Sequence, residues 1–386
     1  MTSRSRVFVL ALSTLIMVFA FVGGYLGQAV AKDDTYQHLR VFEDVVSLVL
    51  NNYVEPVDVR QAMRGAMKGL ADSLDAESAY LTADLVRSLE SNDTGGTAEV
   101  GVDLTRQYYL RVVAARDGTP AAKAGLRAGD FIRAIDNRPT RDMSAYEGAR
   151  RLRGAPGSKV ALLVIRGNAA DPHEIALVRE RASASDVSSR MANGATGYVR
   201  IAEFAKDSST GVKQAIDSLT KSGATRFVID LRSTARGDLD DGIAAARLFV
   251  KGGTLAVRLT RGDTRDMVSS GAGDGAVTAP LALLVDQGTS GAAEVFAAAL
   301  AQNDRADLVG AHTLGRAARQ RLVKLPDQSG LWLTYVRYLA PDNDPIHETG
   351  LEPDVQMEQP EIEFGSQPPT TDAALQRAIE HLTQKK

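Results

Sequence analysis

The sequence predicts a multi-domain chain of mixed α/β and α+β class, with a helical N-terminal region, a small β-rich domain and a larger α/β core. Three observations carry this prediction. Apolar residues first recur at helical spacing, at Leu39, Phe42, Val45, Val46, Leu48 and Val49 and again at Met63, Met67 and Leu70. Short alternating runs follow, at Leu110 to Ala114, Phe131 to Ile135 and Val160 to Ile165, separated by turns rich in Gly, Pro and Asp, which suits a small half-open barrel. Beyond Gly197, strand-like runs at Tyr198 to Ile201, Phe227 to Leu231 and Leu281 to Val285 alternate with helical stretches at Val212 to Lys221, Asp240 to Val250 and Ala292 to Gln302. That alternation is the mark of an α/β layer structure. At 386 residues the chain has room for two or three such units, given about 150 residues per domain.

Composition narrows the function. With 44% hydrophobic and 24% charged residues, most of the chain folds in water rather than spanning a membrane many times. Its 45 basic and 48 acidic residues leave a net charge of −3, too little to favour nucleic acid as a partner. The absence of cysteine removes disulfides, thiol nucleophiles, thiolate zinc sites and lipoprotein acylation together. His38, His173, His347 and His381 are scattered without paired spacing, so no metal site and no cofactor are expected.

In chain order, residues 1–31 come first. Arg4 and Arg6 precede an apolar run from Val7 to Val22, and Ala29-Val30-Ala31 precedes Lys32-Asp33-Asp34. This is the layout of a secretory signal, and the remainder is therefore expected outside the cytoplasm, in a periplasmic or other extracytoplasmic space. If cleavage does not occur, residues 7–26, about 20 residues, suffice to cross a bilayer as an inner-membrane anchor. Residues 32–95 form the helical region, closed by the polar break from Ser91 to Thr97 with its Gly95-Gly96 pair. Residues 96–183 form the β-rich domain and 184–357 the α/β core. Residues 358–386 hold a linker with Pro360, Pro368 and Pro369, then an amphipathic helix from Ala373 to Leu382. The terminal helices are also the expected contacts of a homo-oligomer.

Within the β-rich domain, Gly118-Thr119-Pro120-Ala121-Ala122-Lys123-Ala124-Gly125-Leu126-Arg127-Ala128-Gly129-Asp130 reads as a turn, a short helix and a second turn before a strand. With Val100-Gly101-Val102 upstream and Leu152 to Ser158 downstream, the segment resembles a PDZ domain. The resemblance implies that a protein C-terminal tail adds as a strand to a sheet edge while backbone N–H groups near Val100, Gly101 and Val102 hold its carboxylate.

The chain as a whole resembles the C-terminal processing peptidases, the tail-specific serine protease family. The resemblance rests on Leu74 to Leu81, Gly197 to Ile201, Asp230-Leu231-Arg232, Leu331 to Thr334 and Gly350 to Val355. It implies a serine nucleophile with a lysine general base, but the matching positions depart from that pair. In Gly288-Thr289-Ser290-Gly291-Ala292-Ala293-Glu294 the nucleophile position falls on Gly291. In Thr313-Leu314-Gly315-Arg316-Ala317-Ala318-Arg319-Gln320 the base position falls on Arg316, while the supporting Gln320 is kept. The turn that helps build the oxyanion hole carries Arg236 and Gly237, with a bulky arginine where the family has glycine.

Glycine has no oxygen to acylate, and arginine stays protonated where lysine can be made neutral. The favoured reading is therefore an exported family member that binds protein tails with little or no proteolysis. One alternative is an active serine-type endopeptidase using Ser290, with His312, Asp304 or Glu294 as base; against it stands Ser290 as the N-cap of the following helix. Another is a structural, oligomer-forming protein. Arg236 and Arg316 either form a cationic mouth for a peptide carboxylate or each pair with a structural acid.

Overall fold

The computed structural model describes residue 17 and residues 36–167, 171–181, 186–358, 364 and 371–384, and divides the chain into two compact units, residues 1–67 and 68–386. In the first unit, residues 36–52 form helix α1. Helix α2 (Val59–Asp72) begins there and runs across the division. Apart from Met17, residues 7–26 lie outside the described residues, among which no helix is long and apolar enough to cross a membrane.

The second unit holds three sheets among the described residues. After a short strand β1 (Ala79–Leu81) and helix α3 (Ala83–Glu90), the PDZ-like domain is built from β2 (Val102–Gln107), β3 (Tyr109–Ala115), β4 (Phe131–Ile135), β5 (Arg138–Pro139), β6 (Lys159–Ile165) and β7 (His173–Val178). On β6 and β7 every second residue is buried, so Val160, Leu162, Val164, Ile175 and Leu177 turn one face of the sheet into a core. The helices between strands start where capping chemistry puts them. Thr119 caps α4 (Pro120–Lys123), whose first residue is proline, and Ser144 Oγ accepts the Glu147 N–H at 3.1 Å to cap α5 (Ala145–Leu152). The order β2-β3-β4-β6-β7 leaves β2 at the edge, with α5 packed against it.

The core sheet runs β17-β14-β13-β10-β9-β8, from β8 (Val187–Asn193), β9 (Thr196–Ile201), β10 (Arg226–Asp230), β13 (Leu281–Val285), β14 (Ala306–Gly310) and β17 (Val355–Gln356). All neighbours pair in parallel except β8, which closes one edge antiparallel. Strand β13 is apolar at every position because both its faces are covered. Leu281, Leu283 and Val285 pack with α6 (Ser208–Lys221), α7 (Leu239–Ala246) and α8 (Ala292–Ala301) in the main core. Ala282 and Leu284 meet α9 (Ala373–Gln384) on the other side.

The third sheet centres on β16 (Gly330–Leu339), which pairs antiparallel with β1, β11 (Thr254–Thr260) and β15 (Ala318–Lys324), while β12 (Thr264–Ser269) extends it beyond β11. No local pattern in the sequence predicts this sheet. Its role is positional, since β15 and β1 deliver the loops that flank the site. The loops leaving the C-terminal ends of β10, β13 and β14 are neighbours in the parallel sheet, the place where open α/β sheets assemble ligand sites.

Candidate functional site

The loop after β13 is tied down before it enters α8. The Asp286 carboxylate, whose pKa is pushed up by burial, accepts the Ser233 N–H at 2.8 Å, the Gly288 N–H at 2.9 Å and the Thr289 hydroxyl at 3.1 Å. Ser290 N–H donates to Thr234 O at 2.9 Å, which joins this loop to the one after β10. The N-cap of α8 is then Gly291, at φ +64° and ψ −118°. That backbone conformation is sparsely populated and strained for a residue with a side chain.

The N-cap expectation for Ser290 is thereby corrected, because the turn places the cap one residue later. Ser290 is fully buried and its Oγ has no hydrogen-bond partner among the described residues. None of the bases considered reaches it. Asp304 lies beyond the far end of α8, about 15 Å along a helix of ten residues. His312 Nδ1 is engaged with Thr313 O at 2.7 Å.

Glu294 is committed elsewhere. Fully buried, its carboxylate accepts the N–H groups of Gly291 (2.9 Å), Gly315 (2.6 Å) and Arg316 (2.8 Å) and the Thr313 hydroxyl (2.5 Å). Burial pushes its pKa up and the four donors pull against that shift. This carboxylate fixes the loop carrying position 316 against position 291. A Cβ built on Gly291 would find its nearest atoms, Ala235 O and Arg316 O, at 4.0 Å. The positions assigned by resemblance to nucleophile and base therefore stand side by side, with room for a Cβ at 291.

The Arg316 guanidinium is paired, with Nε 2.9 Å from Glu77 Oε2. Burial works against its charge, yet Glu77, with Asp103 and Glu294 beyond, holds its pKa above the ordinary arginine value. Arg236 is paired as well: Nε donates to Asp103 Oδ1 at 2.7 Å, and Nη1 and Nη2 reach Glu99 at 3.1 Å each. Both arginines thus find acids, and both also line one cavity of about 270 Å³ together with Val100, Gly101, Val102 and Gln320. A second cavity of about 440 Å³ is bounded by Gly237, Gly291, Arg316 and Gln320. Gln320 on β15 donates from Nε2 to Thr334 Oγ1 at 3.1 Å.

The loop before β2 turns through a glycine that its surroundings require. Gly101 sits at φ +82°, where a Cβ would meet the Thr119 side chain at 2.3 Å. The Val100 and Gly101 carbonyls are used by Ala121 N–H and Arg116 N–H, while their own N–H groups have no acceptor among the described residues. The sequence gives no site role to Glu77, Glu99 or Asp103: Glu77 lies inside the Leu74 to Leu81 segment, and Glu99 and Asp103 flank Val100-Gly101-Val102.

Residues 195–357 match the model of peptidase family S41 and residues 111–166 that of a PDZ domain. A carboxyl-terminal-processing protease of Synechocystis sp. is 32% identical over 91% of this chain and 83% of the relative. A carboxy-terminal-processing protease of Bartonella bacilliformis is 30% identical over 85% of this chain and 77% of its own. The solved structure of a photosystem II D1 C-terminal processing protease superposes with a TM-score of 0.70 at 28% identity, covering 82% of this chain and 86% of that one. With its PDZ domain and S41 core in the family's order, the chain belongs to the carboxyl-terminal-processing protease family.

Proposed function

We propose that this chain is an exported member of the family that binds protein C-terminal tails through its PDZ loop and core groove and cuts them little or not at all. The observation that carries the reading is the pair of residues at the dyad positions, Gly291 and Arg316, beside a cavity that still joins Val100 to Val102 with the core. A glycine supplies no attacking oxygen, and Arg316, paired with Glu77, cannot take up a proton. The tail occupies the edge of β2, its last side chain facing Val102, Leu104 and Leu152, which line the same cavity. The mature chain works in a periplasmic or other extracytoplasmic space, anchored there if residues 7–26 are retained.

The test incubates the purified chain with an unfolded reporter bearing an apolar C-terminal tail, beside Ser290→Ala, and titrates the tail as a labelled peptide. The expected outcome is saturable binding without cleavage, with binding lost in Gly101→Ala. Cleavage that disappears in Ser290→Ala would instead establish the endopeptidase reading. Self-association through the terminal helices is an accompanying proposal. It is supported by Leu39, Val45 and Leu48 of α1, which remain exposed in the single chain, and sedimentation of the full chain reads it directly.

A further inference from the structure

Three guanidiniums converge on one glutamate at the PDZ loop. Arg116, Arg153 and Arg236 all contact Glu99, the residue immediately before Val100. Arg236 alone of the three comes from the core, and it alone also holds Asp103, the second residue of β2. Glu99 and Asp103 bracket the Val100 and Gly101 N–H groups that have no acceptor among the described residues. Asp103 is held poorly for a buried carboxylate, since its Oδ2 has no hydrogen-bond partner and only Oδ1 meets Arg236. Arg236 itself is 22% exposed and lines the cavity with Val100 to Val102, so an occupant of that cavity can reach its guanidinium.

The geometry points to Arg236 as the core's contribution to tail recognition: the C-terminal carboxylate of a bound tail displaces Asp103 from the Arg236 guanidinium while the Val100 and Gly101 N–H groups bind the same carboxylate from the PDZ side. The exchange replaces a contact to a single carboxylate oxygen with one that the planar guanidinium can make through both oxygens, and in addition satisfies two open backbone donors. It leaves Glu99 bound by Arg116 and Arg153, while Asp103 gives up its ion pair with Arg236 and keeps Arg153 and Arg316 near enough for their charges to act on it. This deepens the tail-binding reading and rests on it. The turn that the family resemblance assigns to oxyanion stabilisation would serve here to hold a ligand's ground-state anion.

The experiment measures binding of a fluorescein-labelled decapeptide ending in valine, as the free acid and as the C-terminal amide, to the full chain and its variants. In the unaltered protein the acid is expected to bind at least about tenfold more tightly than the amide. Arg236→Gln should weaken the acid about tenfold and leave the amide within about twofold. Arg236→Lys, which keeps the charge without the fork, should recover part of the loss. Asp103→Asn removes the competing carboxylate and should tighten the acid several-fold without changing the amide, which keeps the proposal testable if Arg236→Gln folds poorly. An unchanged acid-to-amide ratio in Arg236→Gln or Asp103→Asn, or equal weakening of both peptides, would overturn Arg236's role with tail binding intact. If neither peptide binds the unaltered protein, the tail-binding reading itself falls, and this inference with it.

Discussion

Installing a hydroxyl at position 291 separates the backbone of the site from its chemistry. At φ +64° and ψ −118° any residue with a Cβ is strained, at a cost of about 1–3 kcal/mol. No steric cost adds to this, because the nearest atoms to that Cβ lie at 4.0 Å. At roughly 2–4 °C per kcal/mol, Gly291→Ser should lower Tm by several degrees, and Gly291→Ala by the same amount, since the strain resides in the backbone. The single variant should not hydrolyse anything, because Arg316 cannot accept its proton. Adding Arg316→Lys supplies a group that can, but at an ordinary lysine pKa near 10.4 only about four in ten thousand are neutral at pH 7. Glu77 beside it favours the charged form further. Glu77→Gln removes that anion while keeping an oxygen for the Thr105 hydroxyl, which donates to Glu77 at 2.7 Å. Desolvation then acts with less opposition, in the direction of the roughly 7–8 at which catalytic lysines work. Labelling by a serine-directed phosphonate and cleavage of a tailed reporter, followed from pH 6 to 10, should rise from Gly291→Ser through the double to the triple variant. A triple variant that is folded and still unreactive would refute the claim that the missing chemistry resides at these positions. Labelling of the unaltered chain would refute it from the other side.

Two further perturbations test how the site is held. His347 is buried with neither ring nitrogen hydrogen-bonded among the described residues, near Asp75, Glu77, Glu348 and Arg337, and burial pushes its pKa below 6.5. The unfolded chain binds that proton more readily than the native one. Its contribution is therefore complete above about pH 6.5 and is lost as pH falls from there toward the depressed native value. Tm measured between pH 8 and 5 should fall below neutrality, and His347→Leu should flatten that window while sparing the acid loss below about pH 4. The latter belongs to Asp75, Asp240 and Asp372, whose pKa values lie below 3.8; an unchanged slope near pH 6 in the variant would exclude His347 as its source. Glu294→Gln leaves one acceptor oxygen for four donors and turns an amide N–H toward at least one of them, which should cost on the order of 3 kcal/mol in urea unfolding. A loss below about 1 kcal/mol would mean that the buried carboxylate does not anchor the loop.

The parts of the fold that can be read in the sequence are those that local physics fixes. The run Leu281 to Val285 is apolar throughout because two layers cover it, and the turn, short helix and turn from Gly118 to Asp130 are set by residues only a few positions apart. The sheet around β16 is not legible in this way. Ala79 pairs with Trp332 and Val257 with Leu339, so the strands find their partners far along the chain, and no local periodicity records those pairings. The site divides similarly. Residue type alone marks Gly291 and Arg316 as unfit for nucleophile and base. Their surroundings do not follow from type, since Glu77 and Glu99 reach Arg316 and Arg236 only through the fold. The cap assigned to Ser290 failed for a related reason. Serine is a good N-cap wherever the chain enters a helix in an extended conformation, but here the entry bends through positive φ, which moves the cap to a glycine and buries the serine.

The ion pair between Arg316 and Glu77 bears on whether chemistry can be restored at all. A lysine base must shed its proton, and a carboxylate 2.9 Å from the base position opposes that, so the same acid that suits an arginine handicaps a lysine. If the pair also held the loop in place, removing it would confound chemistry with geometry. The registers show that it need not. Ser78 Oγ, next to Glu77, accepts the Thr334 N–H at 3.2 Å, and Gln320, just beyond Arg316, lies opposite Thr334 across the β15–β16 ladder. Both partners of the ion pair are thus carried to the site by one strand, and Glu294 independently binds the Arg316 N–H at 2.8 Å. Exchanging the two side chains should leave the backbone at 316 where it is. What the triple variant then reports is whether a proton can be moved there.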